Sequence, residues 1–374
     1  MNRKINVLQF PIGNTKGGIT RYVMTNWKFI DKDKFQFDFA TMSSRLDFEK
    51  EILKAGRSVY HINTYAEMDP KKFKDDFCKM LDNGKYDIVH LHTGRWKSTL
   101  AEEACKEMGI RKIIIHAHST GVVSEDVKER EKNLARHSEI VKKLTISENI
   151  ECWACSKAAA KFLFGDSITE DKVHIMLNAI DLETYSYKSQ VRENVRKNMG
   201  WEGKYVIGHV GRFAYPKNQE FLLRIMPKLI ECIPNIKLVL VGDGVNLEKC
   251  REYVSQHALN DYVTFTGYRT DAEKLLQGFD VFTLPSEYEG VSLALLEAQA
   301  AGLLCYASDC MPKDVGVTNS IKFLPLEKEM WCSHVLEDYR AHRSRANNIE
   351  MIRNAGYDIR EQIKNVERGY MGEY

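Results

Sequence analysis

Long apolar runs are missing from this 374-residue chain, and no stretch approaches the roughly 18 apolar residues that span a bilayer. After Arg3 and Lys4 the sequence passes directly into a strand-like segment, 5–10. The apolar region of about 7–15 residues that marks a secretory signal is absent, so none is expected. A disulfide framework is missing too. Nine cysteines, an odd count, are scattered without regular spacing, which suits a reducing cytoplasm. Cys152-Trp153-Ala154-Cys155 has the C-x-x-C form, yet no second pair completes a zinc site, and both are expected to be buried structural thiols. Charge of one sign is also lacking. A formal net charge of +2 removes nucleic acid as an expected main partner. Lys71, Lys72 and Lys74 form one small basic cluster, which fits either a solvated helix face or peripheral contact with the inner face of a membrane. No repeat or low-complexity tract interrupts the chain.

What is present is alternation. Short β-rich runs lie at 4–10, 35–41, 57–62, 86–91, 111–117, 151–155 and 172–177, with helical patterns near 18–29, 46–55, 70–83, 97–107 and 126–148. Ile113-Ile114-Ile115 is the continuous apolar kind of strand expected where helices cover both faces of a parallel sheet. The 126–148 helix is heavily charged and belongs on the surface. Between 183 and 203 the pattern lapses into polar sequence that reads as a linker. Strand-like runs then resume at 205–210, 236–241, 262–266, 281–284, 303–307 and 321–324, and the chain beyond about 343 reads as helical and polar. The expected class is α/β, with one Rossmann-like domain over 1–185 and another over 186–374, since this length exceeds one ordinary core.

Three loops invite chemistry. Gly13-Asn14-Thr15-Lys16-Gly17-Gly18 follows the first strand and opens a helix, where backbone N–H groups and the helix N-terminus attract an anion. It lacks the G-x-G-x-x-G spacing, and no acid plainly ends the second strand, so a nicotinamide oxidoreductase is poorly supported. A phosphate or acceptor loop and a plain tight turn both remain open. Gly211-Arg212-Phe213-Ala214-Tyr215-Pro216-Lys217 holds the matching place in the second half. Its two cations, a planar fork at Arg212 and a point charge at Lys217, suit a diphosphate.

The third loop, 285–298, carries Glu289 and Glu297 eight residues apart. At helical rise that span is about 12 Å, comparable with the distance from a hexose to the ribose of a nucleotide sugar, so each carboxylate could hold one sugar. Amides near Gly290, Val291, Ser292 and Leu293 would face the pyrophosphate. Leu295-Leu296-Glu297-Ala298 sets Glu297 beside a buried stripe, an awkward place for an idle charge. His116-Ala117-His118 ends a strand with both rings on one side, and no third metal ligand is in view.

On these residues the chain resembles a GT-B-fold glycosyltransferase of family 4, the retaining type common in capsule and exopolysaccharide synthesis. The resemblance spans nearly the whole chain and is densest over 289–302. It also takes in Asn178-Ala179-Ile180-Asp181 and Gly242-Asp243-Gly244. It implies an N-terminal acceptor-binding domain, a C-terminal nucleotide-sugar-binding domain and a last helix, about 355–374, that crosses back to the first. It implies Glu289 on donor-sugar hydroxyls, Glu297 on the ribose, Arg212 and Lys217 on the diphosphate, His118 near the donor sugar, and Gly17, Gly18 and Gly211 as loop glycines. The implied reaction moves a hexose-type sugar from a UDP-sugar to a glycan or lipid-linked acceptor, with no metal and no cofactor. Two departures stand out: Ala179 where a glycine is usual, and Val291-Ser292 for the commoner Phe-Gly. The rival readings are a nucleotide-sugar epimerase or hydrolase of the same fold and a non-catalytic partner subunit.

Overall fold

The structure, a computed structural model, describes residues 3–14 and 17–373. The chain forms two compact units, Met1–Ala179 with Ile359–Tyr374, and Ile180–Asp358. The first unit ends at Ala179, short of the expected 185.

In the first unit the elements run β1 (Ile5–Ile12), α1 (Gly18–Phe29), β2 (Phe35–Thr41), α2 (Glu49–Lys54), β3 (Val59–His61) and α3 (Pro70–Gly84). Then come β4 (Ile88–Thr93), α4 (Leu100–Glu107), β5 (Lys112–Ala117), α5 (Val127–Lys143), β6 (Ile150–Ala154), α6 (Lys157–Phe164) and β7 (Val173–Ile175). The seven strands are parallel in the order β3-β2-β1-β4-β5-β6-β7. Ile113, Ile114 and Ile115 are all buried, as a strand covered on both faces requires. On α5 only His137 is buried. Cys152 and Cys155 are free and buried, and burial pushes both thiols up to about 12.

In the second unit α7 (Leu182–Tyr185) and α8 (Ser189–Met199) precede β8 (Tyr205–Val210), α9 (Gln219–Cys232), β9 (Ile236–Val241) and α10 (Leu247–Gln256). There follow β10 (Val263–Gly267), α11 (Ala272–Gly278), β11 (Val281–Leu284), α12 (Leu293–Ala300), β12 (Leu304–Ser308), β13 (Ile321–Leu324), α13 (Lys328–Ala341) and α14 (Ile349–Asn354). Six parallel strands lie in the order β10-β9-β8-β11-β12-β13.

The 183–203 segment is no linker. Arg192 and Arg196 of α8 grip Asp280 at 2.5 and 3.1 Å, Arg192 also donates to the Phe279 carbonyl at 2.6 Å, and Trp201 is buried. Part of its polarity is Arg192 and Arg196, which serve packing, and periodicity cannot distinguish them from solvated arginines. The last helix, α15 (Ile359–Met371), belongs to the first unit and buries Ile359, Ile363, Val366 and Tyr370 in the core that holds Val23, Trp27 and Phe37.

In both sheets the strand order reverses once, between β1 and β4 and between β8 and β11. Loops beyond the carboxyl ends of such a strand pair splay apart and leave a crevice, the usual ligand position in open α/β sheets.

Candidate active site

The second unit places two of the three loops at its reversal. The 211–218 turn leaves β8 and the 285–292 loop leaves β11, and these strands are paired neighbours. Close packing dictates the glycines. A Cβ on Gly211 would lie 2.9 Å from His209 Nε2 and 3.3 Å from Lys217 Cδ. Gly242, at φ +144°, backs the same turn, and a Cβ there would meet the Gly211 carbonyl oxygen at 2.0 Å. Phe213 N–H donates to the Asp243 carbonyl at 2.9 Å, so the turn after β9 props up the turn after β8.

That support aims Lys217 at Glu289. The Lys217 ammonium and the Glu289 carboxylate form an ion pair, and Ser286 Oγ donates to the same carboxylate oxygen at 2.9 Å. Their side chains are only 20% and 13% exposed, so the pair is poorly screened by solvent. Arg212 stands exposed, and among the described residues no acid pairs with it. Its carbonyl accepts from Gln219 Nε2 at 2.9 Å. His209 lies fully buried beneath the turn. Its Nδ1–H donates to the Thr283 carbonyl at 2.9 Å, its Nε2 meets Gln219 Nε2 at 3.2 Å, and burial pushes it down to about 4.

The loop continues through Gly290 and Val291 into α12, with Ser292 at the N-cap and Leu293 as first helical residue. Ser292 Oγ is buried without a partner among the described residues, beside amides that a helix start leaves unpaired. Glu297, 1% exposed, sits in the second turn among buried Leu295, Leu296 and Ala298. The 12 Å reckoning needs correction. Residues 289–292 are loop, so helical rise covers only Leu293 to Glu297, about 6 Å.

In the first unit, Gly17 caps α1 and Gly18 begins it, and a Cβ on either meets nothing within 4 Å. Thr15 and Lys16 of that loop lie outside the described residues. His118 follows β5 and is partly buried; its N–H donates to the Thr93 carbonyl at 2.9 Å, and burial pushes its imidazole down to about 3. A third and a fourth histidine do accompany the His116–His118 pair: His90 and His92 on neighbouring β4. The signal was the repeated His-x-His at two strand ends. Beyond β1 and β4, at this unit's own reversal, opens a cavity of about 370 Å³ lined by Phe10, Met42, Phe73, Arg95, Trp96 and Glu102. Burial raises the Glu102 carboxyl to about 7, and its Oε2 has no partner among the described residues.

The chain is similar to known proteins. A family profile described as "Glycosyl transferases group 1" matches residues 204–336. EpsF of Bacillus subtilis (strain 168), which bears a glycosyltransferase name, is 30% identical over 366 residues, 96% of this chain and 94% of EpsF. The chain belongs to the group 1 glycosyltransferase family.

Another relative of this glycosyltransferase is the Escherichia coli UDP-Gal:alpha-D-GlcNAc-diphosphoundecaprenol alpha-1,3-galactosyltransferase, 29% identical over 82% of this chain and 80% of its own. Among solved structures, Anabaena HepE in complex with UDP and glucose superposes with a TM-score of 0.79 at 15% identity, covering 99% of this chain and all of that one. The fold is thus that of the GT-B glycosyltransferases. In this glycosyltransferase the profile spans the Gly211 turn, the Lys217–Glu289 pair and α12, so the family's sequence signal is concentrated on the second unit. His209, Ser286 and Gln219 went unremarked in the sequence, because nothing in a lone buried polar residue announces which turn it supports.

Proposed function

We propose that this glycosyltransferase moves a hexose-type sugar from a nucleoside diphosphate sugar, a UDP-sugar in the first instance, to a hydroxyl of a glycan or lipid-linked saccharide, retaining the anomeric configuration. The supporting observation is the Lys217–Glu289–Ser286 cluster beside the start of α12, where Ser292 Oγ is buried and unpaired among the described residues. Arg212, Lys217 and the α12 N-terminus bring positive charge to where negative charge develops on the leaving diphosphate, so they stabilise the transition state more than the ground state. That charge is sufficient for a metal-independent reaction. Glu289 accepts from donor-sugar hydroxyls and Glu297 from the ribose, with Gly211, Gly290, Val291 and Leu293 shaping the pocket. Gly17 and Gly18 are assigned to donor binding and His118 to catalysis. The cavity near Glu102 fits an acceptor saccharide.

A UDP donor and a diphosphate-lipid acceptor are what the name of the E. coli relative states for that protein, and the present proposal extends both to this chain. No helix among the described residues is long and apolar enough to cross a membrane. Peripheral contact follows here from the chemistry of the acceptor rather than from the lysine cluster. Lys72 pairs with Asp76 at 3.5 Å and Lys74 pairs with Glu107.

A thermal-shift screen against UDP-, GDP- and ADP-sugars tests the donor. The matching donor at 100 times its dissociation constant adds about 2.7 kcal/mol of stability. Product analysis with and without acceptor then separates transfer from epimerisation or hydrolysis. A donor consumed equally fast in the absence of acceptor would defeat the transferase reading.

A further inference from the structure

Four histidines meet in the core of the first unit. His90 and His92 lie on β4 and His116 on β5, with His118 just beyond it, and His92 is in register with His116. The rings stack in pairs along each strand, with centroids 4.1 Å apart in both pairs. Across the strands they meet edge to edge: His90 Nε2 lies 3.1 Å from His116 Nδ1, and His92 Nδ1 lies 2.9 Å from His118 Nε2. The far edges of both β4 rings reach one clamp. His92 Nε2 is 2.8 Å from Gln9 Oε1, and His90 Nδ1 is 2.8 Å from the Tyr370 hydroxyl. Gln9 Nε2 donates to that same hydroxyl at 3.0 Å, joining β1 to α15.

The placement of protons follows from these partners. Burial holds all four imidazoles below their ordinary range, so each ring is neutral with one N–H. Gln9 directs its amide nitrogen to Tyr370, so its oxygen faces His92 and must accept. His92 therefore carries its proton on Nε2, and its Nδ1 is a lone pair. His118 must then donate to that lone pair from Nε2. What is left is His118 Nδ1, an acceptor, buried and without a partner among the described residues. A neutral lone pair accepts from a hydroxyl and repels the oxygens of a diphosphate.

A metal ion suits this arrangement less well. His90, His92 and His116 do bring ligand atoms within 4.8 Å of one another. Yet the His90 and His116 rings are parallel to within 7°, with their nitrogens at hydrogen-bond distance from each other, whereas metal ligands aim their lone pairs at a common point.

We propose that Gln9, His92 and Tyr370 are positioning residues that lock His118 in its Nε2–H tautomer and so present Nδ1 to a hydroxyl of the bound sugar. The sugar contact rests on the role given to His118 above; the tautomer does not.

Long-range ¹H–¹⁵N correlation spectra of the full chain, labelled at its 11 histidines, test this directly, with His118→Ala identifying the signal. In the wild type, His118 shows a protonated Nε2 and an unprotonated Nδ1. Gln9→Leu or Tyr370→Phe shifts that signal toward a mixture of tautomers. A single hydrogen bond biases such an equilibrium by up to about tenfold, so transfer slows by up to about that factor. In a His118→Ala background the same substitutions have no further effect on transfer, which a merely structural role would not produce. A wild-type His118 carrying its proton on Nδ1 overturns the proposal. So does a tautomer indifferent to both variants, or a stoichiometric zinc ion held by the purified protein and lost on His90→Ala. If the tautomer responds as expected while His118→Ala transfers at the wild-type rate, the relay stands and the sugar contact falls.

Discussion

Lys217 and Glu289 are a partly buried ion pair, and in the proposed mechanism each side chain has a different consequence when removed. Lys217→Ala deletes a cation expected to meet the leaving diphosphate. Loss of one such group typically costs about 3–4 kcal/mol of barrier, and turnover should fall by about two orders of magnitude or more in steady-state assays. Arg212→Ala, which breaks no described ion pair, should lower turnover comparably without loss of melting temperature. Near-normal transfer in both variants would remove these residues from the mechanism. Lys217→Ala also leaves Glu289 with Ser286 as its remaining described partner, so some loss of stability is expected there.

At the scale of elements, the site depends on the close approach of two strand-to-helix turns. Gly242 touches no substrate in the proposed mechanism, yet its backbone lies against the Gly211 carbonyl at a φ that favours glycine. Gly242→Ala should cost about 3 kcal/mol or more in urea unfolding, because a Cβ placed 2.0 Å from a backbone oxygen can be relieved only by moving a turn. Wild-type stability in that variant would show that the two turns do not support each other. The same scale explains why the linker expectation failed. Arg192 and Arg196 look solvated in one dimension, and only the folded chain reveals that their targets are Asp280 and carbonyls some eighty residues later.

Across the whole molecule, neutral histidines with depressed pKa values occur in both units: buried His209 in one, and buried His90, His92 and His116 with partly buried His118 in the other. Their folded-state pKa values are depressed, so below the ordinary value of about 6.5 the unfolded chain binds more protons than the native one. Stability is therefore complete above that value and is lost as pH falls toward the folded-state values. For His209, pushed to about 4, and His118, pushed to about 3, the loss between pH 7 and pH 5 is about 2 kcal/mol each. Chemical unfolding across that range should show a steep fall, and His209→Gln should flatten it. An unchanged slope would mean that His209 is not buried and neutral.

Where the chain enters and leaves the second unit, Ile180 N–H donates to the Tyr357 carbonyl at 3.0 Å, so the two ends of that unit lie side by side. The Asn178–Asp181 motif sits at that point, a position no local pattern discloses. Alternation of apolar runs with amphipathic stretches was enough by itself to establish thirteen strands, the α/β class and the loops that carry Gly211, Lys217, Glu289 and Glu297, because period and turn chemistry are local properties. Tertiary structure alone decided that Lys217 reaches Glu289, that a glycine-backed turn holds His209 beneath Gly211, and that Gln9, His92, His118 and Tyr370 form one hydrogen-bonded chain. Those contacts join residues up to 361 positions apart, and a parallel sheet brings them together only through strand order, which no segment encodes on its own.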